Sequence, residues 1–140
     1  MRTISLEFKG FYLEPGIKRF PEGSGIYCVY ASVRHVNSES GKSTVSIKKL
    51  LYIGEADDMK NEIPELGKKL KWREALGGHQ LLCFNYASIE AENNRSRARA
   101  ALIYRYQPLL NPQGKKSFNY GETEVLTSGK EGNMGDFVLK

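Results

Sequence analysis

The chain has 140 residues, of which 40% are apolar and 26% charged, close to the balance of an ordinary globular domain. Lys and Arg number 21 against 16 acids, and the resulting net charge of +5 permits a polyanionic partner without requiring one. No apolar run approaches the ~20 residues that span a bilayer and no signal-peptide pattern opens the sequence, so a cytoplasmic single domain without a membrane partner is expected.

In chain order, residues 4–8 alternate well enough for a short leading strand. Residues 9–24 read as a loop, punctuated by Pro15, Gly16, Pro21 and Gly23. Residues 25–33 are apolar and aromatic and read as a central strand. Residues 34–44 form a polar hairpin tip, and 45–54 return as a second strand. Residues 56–63 suit a short helix, with Asp57 and Asp58 favourable near its start and Pro64 ending it. Residues 65–76 give a second helix, with Leu66, Leu70 and Trp72 toward the core and Gly77 and Gly78 stopping it. Residues 80–88 are a third strand, 91–106 the longest helix, and 122–127 a tail strand before a glycine-rich turn at 129–135. This order fits an α+β fold, a small antiparallel sheet covered by helices.

Cys28 and Cys83 lie in apolar runs outside any CxxC pair, and are expected to be buried, reduced thiols. The hairpin tip contains Gly41-Lys42-Ser43-Thr44, the end of a phosphate-binding loop. The full pattern needs a glycine where Val36 stands, and it must feed a helix rather than a strand, so no nucleotide cofactor is expected. His79 at a glycine turn and His35 in the tip are expected to be surface residues.

Two strands each carry a Tyr and a strand-weakening Gly. The run Gly25-Ile26-Tyr27 followed by Tyr52-Ile53-Gly54 resembles the GIY-YIG nuclease domain. His79 to Glu90 is similar to that family's third strand, and Ala100 to Asn111 looks like its closing helix with a terminal Pro and Asn. The likeness covers residues 25–111, leaving 1–24 as an N-terminal strand and loop extension and 112–140 as a C-terminal extension of the same domain.

The resemblance implies a three-stranded antiparallel sheet flanked by helices, with short extra strands at the termini. It also implies DNA phosphodiester hydrolysis of the kind used in DNA processing and repair, with one divalent metal, Mg2+ or Mn2+. Tyr27, Tyr52 and Asn111 carry over as catalytic positions, and Gly54 as the close backbone turn.

Two positions depart from the pattern. Glu62 stands where an Arg would steady the phosphate, and Arg99 stands where a Glu would hold the metal. A guanidinium offers no oxygen to a hard cation, and a carboxylate repels phosphate. The exchange suggests a Glu62–Arg99 ion pair in the vacated cleft. Glu55, Asp58 and Glu92 remain as substitute metal ligands, and Lys68, Lys69, Lys71, Arg73 and Arg95 as phosphate contacts. The sequence thus reads as an impaired, metal-dependent DNA endonuclease-like domain. The competing reading is a non-catalytic nucleic-acid-binding or protein-interaction module.

Overall fold

The computed structural model describes residues 1–14 and 20–140, without the side chains of residues 66–70. Six strands and two α-helices follow one another: β1 (Arg2–Leu13), β2 (Gly25–Val36), β3 (Ser43–Ala56), α1 (Met59–Leu70), β4 (Leu81–Ser88), α2 (Glu92–Tyr106), β5 (Thr123–Gly129) and β6 (Phe137–Leu139). A short 3-10 turn spans Trp72–Ala75.

The strands form one sheet in the order β3-β2-β4-β1-β5-β6. Every neighbouring pair is antiparallel except β1 and β5, which run parallel. The expected three-stranded sheet flanked by helices is therefore wrong: the molecule is a six-stranded, curled mixed sheet with few helices. The cause lies in the two terminal segments. Residues 9–13 do not loop but continue β1, whose C-terminal half pairs with β4 from Lys9 to Leu13. Its N-terminal half pairs with β5 from Arg2 to Phe8, so both termini are built into the sheet. Alternation in β1 places Ile4, Leu6 and Phe8 inside, and that burial rewards the long-range pairing.

Each sheet face has its own core. On one, Ile26, Cys28, Ile53 and Cys83 pack under Ala98, Ala101, Leu102 and Ile103 of α2. On the other, Tyr27, Val29, Leu51 and Phe84 pack under Met59 and Ile63 of α1 and under Trp72. Helix α1 runs through Pro64, where the sequence suggested a stop. Met59 and Ile63, one turn apart, are fully buried against the sheet, and this packing outweighs the single N–H that proline removes.

Beyond α2, the chain turns at Gln107 and runs along the outer edge of β3. The Leu110 amide donates to the Leu51 carbonyl at 2.7 Å. Asn111 then clamps Ile53 from its side chain: Oδ1 accepts from the Ile53 amide and Nδ2 donates to the Ile53 carbonyl, each at 2.9 Å. The edge that a bare β3 would leave open is thereby covered over Leu50–Ile53.

Candidate functional site

The two Tyr–Gly strands meet in register. Tyr27 lies opposite Gly54 on the neighbouring strand. Its ring crosses the space where a side chain at 54 would stand: a β-carbon there would sit 2.7 Å from Tyr27 Cε1 and closer still to Cζ and the hydroxyl oxygen. Gly25 answers to the same logic, since a β-carbon there would meet the Ala87 carbonyl oxygen at 2.5 Å and the Met59 thioether at 2.7 Å. The glycines exist to let rings and helix pack against bare backbone.

Tyr27 is fully buried, with its ring 6.2 Å from both Tyr52 and Trp72. Tyr52 and Trp72 stand 5.7 Å apart and close a three-ring cluster, whose Tyr52 is half-buried. Burial pushes the Tyr27 phenol far above its ordinary value of 10, Tyr52 and Glu62 push it the same way, and the Arg99 guanidinium opposes them. A phenol held so firmly protonated is a poor general base near neutral pH.

Arg99 and Glu62 thus act on the same phenol from two helices, but they do not pair. Among the described residues no ion pair joins them. Glu62 is occupied at the start of α1, where Oε2 accepts the Asp58 amide at 2.5 Å in the manner of a capping box. Asp58 is turned to the same helix end, accepting from Asn61 Nδ2 at 2.5 Å. Arg99 keeps a buried Nε with no hydrogen-bond partner.

One turn earlier on α2, Arg95 is 4% exposed and does the pairing expected of Arg99. Its Nε donates to Glu55 Oε2 at 3.1 Å and its Nη2 to Asp57 Oδ1 at 2.6 Å. Ser96 Oγ donates to Glu55 at 3.2 Å. Glu92, Arg95, Ser96 and Arg99 fall at helical spacings of three and four, so one face of α2 presents them all toward the end of β3. With Ala56, Asp57 and Glu62 the first three of these and Glu55 line a cleft of about 180 Å³. Arg95 is therefore a buried structural cation, not a phosphate contact.

The donor set does not fit a divalent cation. Arg99 supplies charge of the wrong sign at the expected ligand position, and Arg95 and Ser96 already occupy Glu55. Glu55 and Glu92 share the acidic cleft, but Asp58 faces the α1 terminus. Among the described residues no group of three His, Cys, Asp or Glu side chains is arranged to hold a metal.

The expected basic patch is largely committed elsewhere. Arg73 is bonded to Glu14, with Nε donating to Oε1 at 2.8 Å. Lys71 lies 4.0 Å from Glu74, and both are well exposed. Lys68 and Lys69 lie outside the described side chains. Asn111, a catalytic candidate, spends both amide atoms on the Ile53 backbone. Asp57, expected only as a helix-start charge, and Ser96 join the site, where their distances from Gly54 and Glu92 along the chain place them.

No protein-family model, curated protein or solved structure matches the chain. Among the described residues no helix is long and apolar enough to cross a membrane.

Proposed function

We propose that this chain is a nucleic-acid-binding domain that grips phosphate without cleaving it. The observation that carries the reading is Arg99, an Arg at the position where a metal-holding carboxylate is expected, with its Nε buried and unpaired beside the aromatic cluster. A free guanidinium in a partly desolvated setting is a strong seat for phosphate oxygen. The same feature argues against cleavage, as do the protonated Tyr27 and the committed Glu62. A fixed cation beside a largely buried aromatic cluster suits a backbone contact rather than chemistry.

The test combines fluorescence anisotropy on labelled single-stranded and duplex DNA with plasmid nicking in Mg2+ and Mn2+. Binding should weaken steeply as salt rises from about 20 to about 200 mM, and Arg99→Gln should lower the salt slope by about one. Nicking should be absent. Cleavage that disappears in Tyr27→Phe would establish an enzyme instead. No binding at the lowest salt would leave a protein-interaction module as the better account.

A further inference from the structure

Strand β4 pairs with β2 only as far as Ser32, opposite Leu81. The β2–β3 ladder continues without it through Val33↔Ser46, Arg34↔Val45, His35↔Thr44 and Val36↔Ser43. These further pairs, at ~3.4 Å each, carry a two-stranded ribbon roughly 13 Å past the sheet before its turn begins. The tip is fixed. Asn37 Oδ1 accepts from the Glu39 and Ser40 amides at 2.9 and 3.0 Å, and the Asn37 amide donates to the Lys42 carbonyl at 2.8 Å.

The charges on this ribbon are unlike those on the helices. Arg34 and Lys42 on the ribbon, and Lys48 and Lys49 on β3 at its base, are exposed, and none of these four side chains has an ion pair or hydrogen bond among the described residues. Glu39 is the one acid between residues 33 and 49. By contrast Lys60, Lys71, Arg73 and Arg95 each face a carboxylate. Among the described residues, the hairpin and its base therefore carry a group of unpaired cations with a single acid among them. Between the cations stand exposed His35, Ser43 and Thr44, which both donate and accept hydrogen bonds.

We propose that the β2–β3 ribbon enters the major groove of a DNA duplex, with Arg34, Lys42, Lys48 and Lys49 on the bordering phosphates and His35 and Thr44, opposed on one face of the ribbon, toward base edges. This rests on the reading of the partner as nucleic acid. The B-form major groove, about 12 Å wide and about 8.5 Å deep, admits a two-stranded ribbon. The major groove of A-form RNA is too narrow for one, so the ribbon discriminates between the two duplexes.

The experiment compares the wild-type chain with Arg34→Gln/Lys42→Gln/Lys48→Gln/Lys49→Gln, by anisotropy on a DNA duplex, an RNA duplex and a single strand of one sequence. The wild type should prefer the DNA duplex. The quadruple variant should bind it about 10- to 100-fold more weakly at about 100 mM salt, with the salt slope lowered by about three. Amide resonances of residues 34–36 and 43–45 should shift when the duplex is added. A wild type that binds but a quadruple variant with unchanged affinity and slope sinks the ribbon and leaves the nucleic-acid reading standing. Equal affinity for the RNA duplex also sinks the ribbon. A wild type that binds none of the three removes both. All substituted residues are exposed, and an unchanged Trp72 emission spectrum verifies folding of the variant.

Discussion

Replacing Gly54 by Ala tests whether the Tyr27 ring dictates the second motif glycine. In an ordinary strand this change is mildly favourable, by about 0.5–1 kcal/mol, because Ala has less freedom to lose on folding. Gly54 does not have the left-handed backbone that would forbid a side chain. Its new methyl would instead strike the Tyr27 ring, 2.7 Å from Cε1 and nearer to Cζ. The ring is fully buried between Tyr52 and Trp72 and has no free space to enter. Overpacking costs about 1–3 kcal/mol, and partial expulsion of a tyrosine forfeits a share of its burial, so a loss of about 3 kcal/mol is expected. In a Tyr27→Val background the obstacle is gone. There Gly54→Ala should be neutral or stabilising, although Tyr27→Val alone costs about 3 kcal/mol through its cavity. The coupling in the double-mutant cycle should thus approach 3 kcal/mol. Trp72, the single tryptophan, sits in the cluster and reports urea unfolding directly. A Gly54→Ala cost equal in both backgrounds to within about 0.5 kcal/mol would refute the steric account.

Further expectations concern the supports of the site. Asn111→Leu strands the buried backbone N–H and C=O of Ile53, so stability should fall by about 2–4 kcal/mol and the Ile53 and Leu110 amides should exchange faster with deuterium. Arg95→Leu leaves the largely buried Glu55 without its cation, whereas Asp57 is too exposed to matter; the thermal midpoint should report a loss of about 2 kcal/mol, partly regained in Arg95→Leu/Glu55→Leu. Burial pushes the Cys28 thiol up to about 12 and the Cys83 thiol up to about 11, from an ordinary 9.0. The unfolded chain therefore releases these protons first, so urea-unfolding free energy should hold below pH 9 and begin to fall above it, with a slope approaching about 1.4 kcal/mol per pH unit for each thiol, to which the buried Tyr27 and Tyr30 phenols add from about pH 10. Loss of the slope between about pH 9 and 10 in Cys28→Ala/Cys83→Ala would tie that interval to the thiols.

The sequence revealed the local elements better than their assembly. The apolar runs of residues 25–33 and 45–54, the first buried on both faces, and the helical spacing of buried residues in 91–106 reflect short-range patterning, and these segments form β2, β3 and α2. The width of the sheet depends on which strands find each other across 70 or more residues, as Lys9–Leu13 find Tyr86–Cys83 and not a nearer neighbour. Turn-forming residues after Leu13 made the preceding run read as loop, and only its partner strand makes it a strand. Pro64 misled for the same reason: a local penalty was read without the buried Met59 and Ile63 that offset it.

At the site, spacing located the residues but not their bonds. Arg95 and Arg99 lie one turn apart on α2, and both face the end of β3. The nearer carboxylates, Glu55 and Asp57, lie just after Gly54, where the strand's end delivers them to the first of the two arginines. Glu62 lies one turn into α1, close enough to the unsatisfied amides of its own helix to be drawn there instead. Arg95 has claimed Glu55 and Asp57 and the helix terminus has claimed Glu62, and among the described residues no ion pair reaches Arg99. Its unpaired charge thus follows from the order in which neighbouring groups are satisfied. That order also means that Arg99→Glu alone would not create a metal seat, because the new carboxylate would face Glu62 while Arg95 still held the other two acids.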